Sequence, residues 1–216
     1  MTVPGDWARR WMIQCAQVMR DHREELNSLD RVIGDGDHGE NLARGFSALE
    51  QRLEESASDT DTSTVLTLAA TTLMSTVGGA SGPLYGTALL RAAKAVRSRQ
   101  LDGDCVIDLL VAACEGIEMR GHAVTGEKTM VDAWESAVKA AQVAALSGAD
   151  TQQVLVAAAQ GACAGADATV AMRASKGRSS YLGERSVGHR DPGAQSTALI
   201  LKAAAQTATN GEFHDS

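Results

Sequence analysis

Asp30, Asp35 and Asp37 put three carboxylates within eight positions, around the stretch VIGDGDHGEN at residues 32–41. Two unit charges 4 Å apart interact by about 4 kcal/mol at an effective dielectric of about 20, so a bare acidic group of this density repels itself. A hard cation relieves the repulsion. Magnesium suits these residue types: it takes oxygen ligands, is held by a few carboxylates, and fills its shell with water and phosphate oxygens. Gly34 and Gly36 allow a turn tight enough to aim the carboxylates together. A helix expected to begin after Asp37 would offer its first amides, His38 to Asn41, to an anion. Carboxylates followed by a helix N-terminus predict a cradle for a metal and a phosphate.

Other readings of the same residues are weaker. Gly34, Gly36 and Gly39 match G-x-G-x-x-G, but the dinucleotide fingerprint needs a preceding strand and bare amides, and here carboxylates stand between the glycines. An EF-hand loop counted from Asp35 has Glu40 at its sixth position and Phe46 at its twelfth, where glycine and glutamate belong. GEKT at residues 126–129 is not a Walker loop, because Glu127 precedes the lysine in place of glycine. The plain alternative is a turn with capping aspartates, since Asp, Gly and Asn are common turn residues. LDGDC at residues 101–105 also contains Asp-Gly-Asp, without a third acid or a following histidine, and reads as a loop and helix cap.

The elements that must hold these residues read as helices. Alanine and leucine carry most of the apolar surface and aromatics are only 3%, a mix that favours helix over strand. Eight segments are expected: residues 5–26, a second helix from just after Asp37 through Leu49 and Leu53, then 64–76, 83–99, 105–120, 130–146, 151–174 and 195–209. Trp7, Trp11, Cys15, Val18, His22 and Leu26 mark the buried face of the first. No segment reads as a strand, and no linker or repeat divides residues 1–216, so one all-α domain is expected. Four segments look unusual for connections: 30–41, 78–86, 121–130 and 176–193. They follow helices one, three, five and seven, so an up-and-down bundle would gather them at one end.

The chain has 216 residues and a formal net charge of −7, which argues against a general nucleic-acid binder. Cys15, Cys105, Cys114 and Cys163 lack zinc-ligand spacing and read as small buried residues in a reducing, cytoplasmic setting. No signal core is visible and no run approaches 18 apolar residues, so no membrane span is expected.

Four stretches also carry a family resemblance. LDRVIGDGDHGENLARGF (29–46), GGASGPLYGTALLRAA (78–93), GEKTMVDAW (126–134) and KGRSSYLGERSVGHRDPGA (176–194) resemble, in order and spacing, the motifs of the L subunit of dihydroxyacetone kinase, the nucleotide-binding subunit. The likeness spans nearly the whole chain. It implies an eight-helix antiparallel up-and-down barrel with ADP or ATP at one end, and two magnesium ions joining its phosphates to Asp30, Asp35 and Asp37. It places His38, Gly39, Glu40 and Asn41 beside the phosphates, with any Glu40 contact through its backbone. Ala80 and Ser81 fall in a second phosphate loop, Gly121 and Met130 near the base, Arg178 on the nucleotide, and Asp191, Pro192 and Gly193 in a closing loop. Each has a structural alternative. Ser81 could cap its helix, Met130 could be core, and Arg178 could pair with a surface acid. Trp134 reads as core, and His122 and His189 as loop residues without a role.

The resemblance implies a phosphotransferase subunit that delivers a phosphoryl group to a small ketose held by a separate K subunit, which also supplies the base. Because no K module is attached, it further implies a bound ADP recharged by the phosphotransferase-system M subunit. Alternatives are an ATP-dependent split kinase, a tetrulose acceptor, a homodimer, a nucleotide-loaded regulator of a transcription factor, or a fatty-acid kinase domain.

Overall fold

A computed structural model describes residues 2–58 and 60–208. Among them the regular structure is all helical: α1 (Trp7–Asp21), α2 (Arg23–Ile33), α3 (His38–Glu55), α4 (Thr62–Thr76), α5 (Ser81–Ala95), α6 (Gly103–Gly121), α7 (Met130–Leu146), α8 (Thr151–Ala168) and α9 (Pro192–Gln206), with 3-10 segments at Thr169–Ala171 and Arg178–Ser186. From α3 onward each helix packs on the next, and α1 packs on both α3 and α9, which closes the circuit. α9 is buried on almost every side, with Leu199, Ile200, Leu201 and the alanines around them all in the core.

The closure is sealed by two tryptophans. Trp7 and Trp11 stack with ring centroids 5.0 Å apart. Their indole N–H groups donate to carbonyls of α9, Trp7 to Ala204 O at 2.9 Å and Trp11 to Ile200 O at 2.8 Å. Both rings are fully buried, so each combines a large apolar area with a satisfied donor. Trp11→Ala is expected to cost about 3–5 kcal/mol, read as a lower midpoint in urea unfolding. An unchanged midpoint would remove this seam from the account of stability.

Helix starts are set by short polar side chains. Asp61 accepts from Thr64 N, Asp102 from Cys105 N and Asp191 from Ala194 N. Thr129 with Asp132 and Asp150 with Gln153 form capping boxes ahead of α7 and α8.

Three expectations need correction. The first helix is two, broken at His22, whose φ of −98° and ψ of 11° leave the helical range. The apolar period ran through the break because Leu26 is buried on α2 just as Trp11 is on α1. α2 then continues to Ile33, so Asp30 lies on a helix and not in a loop. The helix expected over residues 151–174 ends at Ala168 and tightens into 3-10 geometry, and the loop expected over 176–193 contains the second 3-10 segment. Finally, Thr151–Ala171 has a mean hydropathy of 1.4 and is long and apolar enough to cross a membrane by length and composition alone. In the fold it lies against α7 and α9 and buries Val154, Leu155, Ala158 and Ala162 there. Of the four free cysteines, Cys15, Cys105 and Cys114 are buried as expected, while Cys163 is exposed.

Candidate functional site

The acidic cluster is organised by Asp30. Its Oδ2 accepts three successive backbone amides, from Gly36 at 2.8 Å, Asp37 at 3.0 Å and His38 at 3.2 Å. The turn can close only with glycine at two places. A Cβ on Gly34 would lie 2.0 Å from Asp30 Oδ1, and Gly36 has a φ of +82°. Ligand oxygens of Asp30, Asp35 and Asp37 then lie within 4.8 Å of one another. Burial pushes the Asp30 carboxyl above its ordinary value; the three amides oppose that shift and Asp35 adds to it.

Asp37 occupies the N-cap position of α3, yet its side chain makes no capping hydrogen bond. Asp102, in the look-alike stretch at 101–105, does cap its helix. The two Asp-Gly-Asp sequences therefore differ in what their carboxylates do. Asp35 faces Arg178, whose Nη1 stands 2.7 Å from Asp35 Oδ2. This pair brings the 3-10 segment over the cluster, and the surface acid that Arg178 meets is one of the cluster's own.

The four unusual segments meet at this end. His38 is buried, with Nε2 2.9 Å from Ser196 Oγ and Nδ1 3.3 Å from Ser81 Oγ. Burial lowers its pKa to about 4, so the ring is neutral at ordinary pH. Tyr85 continues the chain of contacts, with its hydroxyl 2.7 Å from Ser196 Oγ and donating to Gly193 O at 3.3 Å. Gly78 sits against Asn41, and Gly193 against Met130. Met130 is buried as the first residue of α7. Gly121 ends α6 and approaches Leu84 of α5, with no direct link to the acids. Ser81 is the first residue of α5 and follows Ala80, which supplies no side-chain cap. Ser81 thus spends its hydroxyl on His38.

The amides expected to be open at α3 are mostly taken. His38 N goes to Asp30, Glu40 N to Asn27 Oδ1 at 3.0 Å and Asn41 N to Asp37 O at 2.9 Å. The Glu40 side chain reaches outward to Arg23 at 3.6 Å. The N-terminus of α5, which carries Ala80 and Ser81, is the less occupied of the two. Asp191 caps α9, directly ahead of Pro192 and Gly193, and burial lifts its carboxyl to about 7, against the α9 amides and Lys128.

Asn27, Tyr85, Ser196 and Lys128 all brace the site, and sequence reasoning passed over each of them. Ser196 gave no signal beyond lying on an expected helix, Asn27 falls between two expected helices, and Tyr85 and Lys128 lie inside the quoted motifs. A groove of about 1430 Å³ lies elsewhere on the molecule, lined by residues such as Thr2, Asp6, Thr67 and Lys94, and includes none of the three acids.

The donor set fits a hard divalent cation. It offers carboxylate oxygens, close together; Asp37 caps no amide, and among the described residues only Arg178 forms an ion pair with the cluster. The family model described as the DAK2 domain matches residues 32–206. The chain belongs to the DAK2 family. This DAK2 chain is 45% identical over 207 residues to the ADP-binding subunit of a PEP-dependent dihydroxyacetone kinase of Listeria innocua, covering 96% of this chain and 98% of that one. It is 41% identical to the corresponding Escherichia coli subunit, over 89% and 91% of the two chains. Among solved structures, the native dihydroxyacetone kinase of C. freundii superposes with a TM-score of 0.70 at 25% identity, over 93% of the DAK2 chain and 34% of the larger protein. A form of that kinase with AMP-PNP and Mg2+ shares the fold, with a TM-score of 0.71 at 24% identity.

Proposed function

We propose that this chain is the ADP-holding subunit of a multi-component dihydroxyacetone kinase. It passes a phosphoryl group to a ketose held by a separate K subunit, and its nucleotide is recharged in place by a phosphotransferase-system protein. The observation that carries this reading is the acidic cluster, in which three carboxylates converge and the one at the helix start caps nothing. Full-length likeness to PEP-dependent ADP-binding subunits supports the donor and the partners.

In this reading the nucleotide lies at the end of an antiparallel helical barrel, where the four segments meet. Asp30, Asp35 and Asp37 would hold magnesium, which when bound neutralises charge on the phosphates. Ala80 and Ser81, at the open N-terminus of α5, face the phosphates together with the start of α3, residues His38 to Asn41. Gly121, Met130 and residues Asp191 to Gly193 border the base and sugar. Arg178, exposed and 2.7 Å from Asp35, would offer its guanidinium to a phosphate oxygen. His38, neutral between two hydroxyls, and Asp191, capping α9, are poorly placed to take the acceptor's proton, so the base comes from the partner.

Mass spectrometry of the small molecules released on denaturation tests the donor. ADP is expected. Turnover with K subunit and a PEP-driven phosphotransferase relay, but not with ATP alone, completes the test, and the converse pattern would refute recharging in place. Arg178→Ala is expected to weaken ADP binding roughly tenfold, since a hydrogen bond to a charged group contributes about 1.5–3 kcal/mol. The thermal midpoint of the nucleotide-free protein should not change, because Arg178 is 65% exposed. Calorimetric titration showing wild-type affinity would take Arg178 out of the site.

A further inference from the structure

Lys128 is the lysine of the GEKT stretch that fails as a Walker loop, and it does not face solvent. Its exposure is 0%. The backbone holds it at a φ of +62°, two residues after Gly126 at +93°, a conformation that a side chain other than glycine adopts only where its surroundings demand it.

The demand comes from the neck of the segment that carries Arg178. Lys128 Nζ donates to Thr169 O at 2.5 Å and also to His189 O. Thr169 Oγ1 accepts Asp191 N at 3.0 Å, and Gly188 N donates to Val170 O at 2.8 Å. Residues 169–170 and 188–191 are thus stitched side by side, and the chain between them leaves the core and returns. One buried ammonium ties both strands of that neck to the start of α7. Burial lowers the Lys128 pKa, while Asp191 and then Asp132 oppose the shift.

We propose that Lys128 is a positioning residue that clamps the base of the 171–187 excursion, and so sets how long nucleotide is retained beneath Arg178 and beside Asp191, Pro192 and Gly193. The proposal rests on the nucleotide reading above. The clamp acts at a distance, because a fully buried ammonium cannot touch the ligand.

The test uses Lys128→Met, which keeps the length of the side chain and removes its donors, with Lys128→Arg as the conservative variant. Release of a fluorescent ADP analogue from the Mg2+-loaded full chain is expected to speed up at least about tenfold in Lys128→Met and to be partly restored in Lys128→Arg. Hydrogen exchange in ligand-free protein should show the amides of Gly188 and Asp191 losing protection while those of α4 and α5 keep theirs. A folded Lys128→Met protein with wild-type release and wild-type exchange at the neck overturns the clamp. If Lys128→Met does not fold, Thr169→Val decides, because it removes the hydroxyl that accepts Asp191 N at 3.0 Å and donates to Ala166 O at 2.6 Å, and so loosens the same neck. Faster release supports the clamp, and unchanged release refutes it. If the wild-type chain binds no ADP, the nucleotide reading fails, and exchange at Gly188 and Asp191 still decides whether Lys128 holds the neck.

Discussion

Asp35→Asn is expected to lower Mg2+-dependent ADP retention by roughly a hundredfold or more while leaving the fold untouched. Asp35 is part-exposed, and among the described residues its side chain makes one contact, the ion pair with Arg178. An exposed pair of this kind contributes about 0–1 kcal/mol to stability, so in chelator-treated, nucleotide-free protein helicity and melting temperature should match the wild type. The ligand side is different. Removing one of three clustered negative charges weakens the hold on a divalent cation by several kcal/mol at the effective dielectric of a protein surface, and each 1.4 kcal/mol is about tenfold. Titration of ADP in the presence of Mg2+, with a chelator arm for comparison, reads the effect. Wild-type affinity in the Mg2+ arm would mean that the cluster does not bind a cation.

Asp30→Ala should lose binding and stability together. Asp30 is nearly buried, and its Oδ2 gathers the amides of Gly36, Asp37 and His38. Deleting the acceptor leaves three donors in a partly buried turn. An unmet buried donor costs about 1–3 kcal/mol, but water can reach part of this turn, so a total of about 3 kcal/mol is expected. The loss should appear in chelator-treated, nucleotide-free protein, where the ligand cannot account for it. Asp30→Asn retains a side-chain acceptor and should recover much of the stability without recovering the metal. Should Asp30→Ala melt at the wild-type temperature in the ligand-free state, the carboxylate is not the organiser of the turn.

The contrast between these two aspartates was not legible in the sequence, where they look equivalent. By sequence Asp30 reads as a loop residue, because α2 buries Asn27 and Asp30 along with Leu26 and Ile33, and a polar buried face does not register as apolar period. The break at His22 was missed for the converse reason: apolar spacing continued across it. The expectation that α3 would present free amides failed at a finer level. Asn27, thirteen residues earlier, takes Glu40 N, and Asp30 takes His38 N, contacts that only the packing of α2 on α3 creates.

Residue type and spacing alone determined that the chain is helical, that three carboxylates lie where they must share a cation or repel, and that four irregular segments belong together. These follow from local preferences and from the alternation of helices, which need no knowledge of packing. Only the tertiary structure decided which aspartate shapes the turn, that Asp37 caps nothing whereas Asp102 does, that Ser196 and Tyr85 support His38, and that Lys128 points inward. Each of those is a hydrogen bond between groups brought together by the fold, and the same side chains could have made other bonds had the helices met differently.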